Sequence, residues 1–231
     1  MQRTKYFAFK SLSMKNWKKL LSYFFEFHVE SSSSNFHEDL YVSYSRGRYQ
    51  LSTENAIYSF GDLYTNYYQA FEQIDLNKRK VEKVLILGFG LGSIPMMLEQ
   101  NFKKKYDYTA VEIDEEVLYL AHKYVTKNLE SNIETICTDA AFFVEQCEEV
   151  FDIVCVDLFL DDIIPDAFQQ QAFLQSTKKL IAPNGLLLYN RLALTIEDKE
   201  KNEHFMMDEF LPVFPKGHYL DVDGNWMFLN K

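Results

Sequence analysis

The chain has 231 residues, 47% of them apolar and 25% charged, with a formal net charge of −10. This is a soluble, globular composition with enough apolar material for one large domain, or for a core domain with an appendage. The acidity argues against a phosphate-backbone partner, so no nucleic acid is expected. No stretch reads as a membrane span, and Lys15, Lys18 and Lys19 interrupt what a signal peptide would keep apolar, so the expectation is a cytoplasmic protein without a membrane partner.

The first part of the chain reads as a small β-rich element. Residues 21–30 (LSYFFEFHVE) are aromatic and partly alternating, and the serines from Ser31 form a polar break. Residues 39–44 and 48–53 are strand-like around Ser45-Arg46-Gly47, a tight-turn signal, and residues 56–60 suggest a third short strand. Asp62 then reads as the N-cap of a helix over 63–71. From Val81 the pattern changes. Short apolar runs at 84–87, 108–113, 153–156 and 186–189 predict strands buried on both faces, separated by helices at 115–124, 140–147 and 167–180. Residues 218–222 and 226–229 flank Asp223-Gly224-Asn225, which predicts a closing antiparallel hairpin. The fold class is therefore α/β: a Rossmann-like, doubly wound, seven-stranded sheet with an antiparallel last strand (62–231), preceded by the β-rich element (1–61).

Candidate site residues fall at the predicted strand ends. The run VLILGFGLGS carries a buried strand into Gly88, Gly90 and Gly92, with Pro95 in the first turn of the following helix. Glycines there let the backbone turn sharply and approach a ligand, although the spacing lacks the later glycine of a dinucleotide fingerprint, Ser93 standing in its place. Glu112, at the next strand end, can accept from both hydroxyls of a ribose, with Asp114 as the competing carboxylate. Asp139-Ala140 follows a third strand, where the acid could meet an adenine amino group or cap the next helix. Asp157 ends the FDIVCV strand, where ligands of open α/β sheets react. Cys137, Cys147 and Cys155 have neither a disulfide framework nor metal-ligand spacing, so no metal site is expected, and Cys155 reads as a core residue.

VLILGFGLGS, VEIDEEVLYLAHKY, CTDAAFF and FDIVCVDLF, in this order, together resemble the polyamine aminopropyltransferase (spermidine synthase) family, which is built on the class I S-adenosylmethionine-dependent methyltransferase fold. GRYQLSTENAIYSFGDLY resembles that family's N-terminal strands. The resemblance implies that Gly88, Gly90 and Gly92 line the methionine-derived chain and ribose of S-adenosylmethionine or its decarboxylated form. By the same resemblance Glu112 binds the ribose hydroxyls, Ile113 flanks the adenine, and Asp139 with Ala140 holds its amino group. Gln50 matches a glutamine near the cofactor, Asp157 the catalytic aspartate, and Tyr58 the tyrosine beside it. A homodimer through the N-terminal element is also implied.

The chain departs from the family on the acceptor side. Leu91 stands where the family carries an aspartate in the glycine turn, Ser59-Phe60 follow Tyr58 in place of a polar or acidic pair, and the second loop aspartate is displaced. Asp161 and Asp162, with Asp166, are the remaining acids that could hold the ammonium groups of a polyamine. A leucine in the glycine turn removes one device for rejecting intact S-adenosylmethionine. The favoured reaction is therefore methyl transfer to a small-molecule acceptor. The alternatives are aminopropyl transfer to a polyamine and a non-catalytic nucleoside-binding or protein-interaction domain.

Overall fold

The structure is a computed structural model that describes residues 16–53, 57–160 and 162–231. A short helix, α1 (Asn16–Leu21), leads into a four-stranded antiparallel sheet of β1 (Phe27–Ser32), β2 (Leu40–Ser45), β3 (Arg48–Ser52) and β4 (Ile57–Ser59), in that spatial order. Arg46 and Gly47 both have positive φ, the geometry that suits a two-residue hairpin loop between β2 and β3. Only the end of the aromatic run at 21–30 is strand. Residues 23–25 form an exposed turn, since each of the three is at least 62% exposed and has no sheet face to bury against. The expected strand at 56–60 is β4, with residue 56 outside the described residues.

The helix expected at 63–71 is α2 (Thr65–Gln73), preceded by a single 3-10 turn at Gly61–Leu63. Asp62 does not cap it. Its carboxylate is taken by the Arg48 guanidinium and the Asn101 amide, which tie β3 to the next helix. The remainder runs β5 (Lys83–Leu87), α3 (Ser93–Gln100), β6 (Asp107–Glu112), α4 (Glu115–Tyr124), β7 (Asn132–Cys137), α5 (Ala140–Gln146) and β8 (Phe151–Val156). Then come α6 (Asp166–Gln169), α7 (Gln171–Lys179), β9 (Ile181–Leu192), α8 (Ile196–His204), a π-helical stretch at Phe205–Phe210, α9 (Leu211–Val213), β10 (His218–Val222) and β11 (Asn225–Leu229). The helix expected over 167–180 is interrupted at Gln170, whose extended backbone separates α6 from α7.

The second sheet has seven strands in the order β10-β11-β9-β8-β5-β6-β7. The five strands from β9 to β7 are parallel, while β11 pairs antiparallel with both β9 and β10. The turn at Asp223-Gly224 has positive φ at both residues, as its sequence predicts. Side chains alternate across the sheet. Val84 and Ile86 of β5 pack on one face with Ile153 and Cys155 of β8; Leu85 and Leu87 pack on the other with Val154 and Val156. Each such residue is wholly buried, worth roughly 1.5–3 kcal/mol per side chain. The first face is covered by α2, α3 and α4 together with Leu40, Val42 and Leu51 of the small sheet, so the two sheets share one core.

Candidate active site

The first parallel strand, β5, ends in a glycine turn because nothing else fits. Gly88 has φ +87°, and a Cβ there would lie 2.1 Å from the Asp157 carbonyl oxygen at the end of β8. The two strand ends therefore close on each other only through a residue without a side chain. Gly90, also with positive φ, lies under β4, where a Cβ would come 3.4 Å from the Tyr58 carbonyl. Ser59 of β4 hydrogen-bonds Ser93 at the start of α3, 2.6 Å apart. These contacts bring the small sheet over the carboxyl ends of β5, β6 and β8. Together they enclose a cleft of about 550 Å³ at the point where the sheet order reverses.

One wall of the cleft is built from β6 and the residues after β7. Glu112 lines it, with Ile113, Asp139 and Ala140. The Glu112 carboxylate is held by four backbone N–H groups. Oε2 accepts from Phe89 and Gly90, both at 3.1 Å, and Oε1 from Ile113 at 2.9 Å and Asp114 at 3.3 Å. Burial still pushes its pKa up, against those four bonds. Asp114 goes elsewhere: it is 1% exposed, caps α4 by accepting from Glu116 N, and does not line the cleft. Asp139 both lines the cleft and caps α5, its Oδ1 accepting from Ala141 and Phe142. Gln50 is buried in the small sheet and is not among the residues that line the cleft. Gly92 and Leu91 also stand behind the wall, with Leu91 packed into the core.

The opposite wall holds Asp157. Its Oδ1 accepts from the Asn190 amide at 2.9 Å and the Tyr64 hydroxyl at 3.2 Å, and Asn225 in turn donates to Asn190 Oδ1 at 2.9 Å. Burial raises the Asp157 pKa to about 6; the two hydrogen bonds oppose that rise and the nearby Glu112 adds to it. The Tyr64 phenol is pushed well up by burial and by Asp157. Tyr58 lines the same cleft from β4. The loop after β8 presents Leu158, Phe159, Leu160 and Asp162 to the cleft, and Leu192 and Leu194 face it from the end of β9. Asp166 is exposed at the start of α6 and is not a lining residue, and Asp161 lies outside the described residues. No cluster of three potential metal ligands occurs among the described residues. Sequence reasoning missed Tyr64, Asn190 and His37. Asn190 had a signal, a polar residue directly after the apolar run at 186–189, but Tyr64 and His37 had none.

The spermine/spermidine synthase domain model matches residues 67–209, well over half of the chain. The chain belongs to this family. Its relatives within that frame carry two kinds of transfer. A polyamine aminopropyltransferase of Vibrio vulnificus is 29% identical over 114 residues, 48% of this chain and 38% of that protein. An eEF1A lysine and N-terminal methyltransferase homolog of Drosophila melanogaster is 33% identical over 123 residues, 49% of this chain and 18% of that one. The chain thus spans less than two fifths of the length of either relative. Among solved structures, spermidine synthase from Thermotoga maritima superposes with a TM-score of 0.66 at 14% identity, over 87% of this chain and 71% of that chain. Human methyltransferase-like protein 13 in complex with SAH superposes with a TM-score of 0.53 at 22% identity, over 65% and 71%. At these identities the superpositions show the fold, which is the class I methyltransferase type expected from the sequence.

Proposed function

We propose that the chain is a transferase that binds S-adenosylmethionine and moves its methyl group to an acceptor held between Asp157 and Tyr58. The observation that carries this reading is the composition of the acceptor wall. Leu158, Phe159, Leu160, Leu192 and Leu194 dominate it, and Asp162 at the mouth is the one acid besides Asp157 among its described lining residues. A polyamine carries several ammonium charges, and each needs a carboxylate or water when it enters an apolar cleft. An acceptor with a single reacting group does not. Leu91, packed into the core where an acid in the turn would discriminate against the cofactor carboxylate, agrees with intact S-adenosylmethionine.

In this reading the glycine turn and Glu112 hold the ribose end, with Ile113, Ala140 and Asp139 around the base. The bound sulfonium supplies an already activated carbon, so the protein mainly aligns the nucleophile. Asp157 orients the acceptor and takes its proton. Burial makes Asp157 a stronger base than an ordinary carboxylate, which narrows the gap to an alkylamine of pKa about 10. Aminopropyl transfer from the decarboxylated cofactor is the second reading, favoured by the family match and by Asp162 at the mouth.

Incubation with labelled S-adenosylmethionine, or with its decarboxylated form, in the presence of putrescine, spermidine or a cell extract separates the two. Methylated product supports the first reading. Aminopropylated polyamine, with a KM that rises in Asp162→Asn, replaces it with the second. Tight binding without transfer from either cofactor would leave only a nucleoside-binding role.

A further inference from the structure

Asp157 is held through one oxygen. The Asn190 amide, at 2.9 Å, and the Tyr64 hydroxyl, at 3.2 Å, both donate to Oδ1, and among the described residues no donor reaches Oδ2. The direction of the bonds behind Asn190 is forced. A carboxylate only accepts, so the Asn190 carboxamide must turn its N–H toward Asp157. Its oxygen then faces away, and there it meets Asn225 Nδ2 at 2.9 Å. Asn225 can only donate to that oxygen. Both carboxamides are nearly closed to solvent, Asn190 1% and Asn225 9% exposed, so neither bond is lost cheaply.

The closing hairpin brings Asn225 to this place. It follows the Asp223-Gly224 turn at the start of β11 and pairs with Leu192 of β9, while Asn190 pairs with Met227. Residues two apart on a strand share a face, so Asn225 is the diagonal neighbour of Asn190. The turn is fixed from two sides: Ala193 N donates to the Gly224 carbonyl at 2.8 Å, and the Thr65 hydroxyl to the Asp223 carboxylate. Asn225 lies beyond residues 67–209, the stretch that carries the family match.

We propose that Asn225 is a positioning residue for Asp157: acting through Asn190, it fixes the carboxylate by Oδ1 and leaves Oδ2 as the oxygen that faces the acceptor. The proposal rests on the transferase reading for what Oδ2 does there. When an acceptor X–H is methylated, the carbon–sulfur bond breaks and the carbon–X bond forms. The sulfonium becomes a neutral thioether, and the proton of X–H passes to Oδ2. The orientation of the carboxylate belongs to the protein alone.

The ionisable groups around Asp157 are Glu112 on β6, Tyr64 and Tyr67 at α2, and Cys155 on β8. Burial pushes both phenols and the thiol well up, so none of the three titrates near Asp157. His37 lines the cleft with Tyr58, Asp139 and Asp162, its ring nitrogens 3.0 Å from the Tyr58 hydroxyl and 3.0 Å from Asp114 Oδ2. The test therefore labels aspartate alone. In the full chain with carbon-13 at the aspartate carboxyls, Asp157→Asn assigns the Asp157 signal and Glu112 is silent. The unsubstituted protein should titrate there at about 6. Asn225→Ala frees Asn190 to turn, so the Asp157 midpoint should rise by about half a unit or more. Asn225→Leu, closer in volume, should give the same rise and stands in should the smaller side chain unsettle the hairpin. Asn190→Ala combined with Asn225→Ala should rise no further than Asn190→Ala alone. Thr65→Val loosens the same hairpin without touching either carboxamide and should leave the midpoint in place. A midpoint unmoved by both Asn225 variants, moved additively in the double variant, or moved equally by Thr65→Val overturns the proposal.

Kinetics supply the second arm. With an acceptor that the protein turns over, the acid limb of kcat/KM in Asn225→Ala should move with the carboxyl midpoint, while S-adenosylmethionine binding by calorimetry stays within about twofold. A limb that stays in place while the carboxyl midpoint moves overturns the role given to Oδ2. Absence of turnover in the unsubstituted protein would instead count against the transferase reading, with the carboxyl titration still deciding whether Asn225 positions Asp157.

Discussion

Two carboxylates at the end of one strand, β6, lie in different surroundings, and burial direction separates them. Glu112 lines the cleft and Asp114 does not. Glu112→Ala should weaken nucleoside binding strongly, since two charge-assisted hydrogen bonds to ribose hydroxyls are worth roughly 1.5–3 kcal/mol each. Asp114→Ala should weaken binding much less; equal losses in calorimetry on folded protein would refute the assignment. In the proposed reaction Asp157 should set the pH response. With its pKa raised to about 6, kcat/KM should fall on the acid side with a midpoint near that value. Tyr64 and Asn190 hold that pKa down, so Tyr64→Phe and Asn190→Ala should each move the acid limb to higher pH; an unmoved limb would exclude Asp157 as the titrating group. The same shift costs stability. A carboxyl whose folded pKa lies above its ordinary 3.8 contributes stability below that value and loses it as pH rises through about 6. Asp157→Asn should therefore gain Tm at neutral pH more than at about pH 4, a trade of stability for function.

At the scale of elements, the site depends on three strand ends meeting under a fourth strand from outside the main sheet. Gly88→Ala tests the closest of these contacts. The added methyl would sit 2.1 Å from the Asp157 carbonyl and would demand positive φ from a non-glycine residue. The β5 and β8 ends must then part, so the variant should lose both thermal stability and cofactor binding; a variant that melts and binds like the parent would contradict the geometry. The small sheet is anchored over the cleft by polar contacts to α4. Glu30 of β1 binds Lys123 and Tyr124, Ser32 donates to Glu116 at 2.6 Å, and the Tyr49 and Tyr124 rings lie 4.8 Å apart. This docking is what carries Tyr58 and His37 into the site. It is also why neither contact could be read along the chain, since the partners are 77 and 21 positions apart.

At the scale of the whole molecule, the described N-terminal segment shows an unusual amount of apolar surface. Trp17, Leu20, Tyr23, Phe24 and Phe25 are 54–77% exposed on and just after α1. A second copy of the chain is the simplest cover for such a patch, consistent with a homodimer through the N-terminal element. Sedimentation at micromolar concentration should give a dimer, and Phe24→Glu should shift it toward monomer. A monomeric parent would refute this. No helix among the described residues is long and apolar enough to cross a membrane.

The sequence by itself determined the main sheet, because two-face burial, glycine at a strand end and a turn with two positive φ values are local demands that local residue types must meet. It also placed Gly88, Glu112, Asp139 and Asp157 at strand ends, where a parallel sheet brings its carboxyl termini together whatever the loops do. It misjudged Asp62, which looks like a cap until a distant partner, Arg48, claims it. Only the tertiary structure decided the surroundings of Asp157 and Tyr58. Tyr64 and Asn190 on Asp157, and Asp114 through His37 on Tyr58, are contacts across 93, 33, 77 and 21 positions, and no periodicity or spacing along a chain encodes a hydrogen bond between side chains that meet only when two sheets dock.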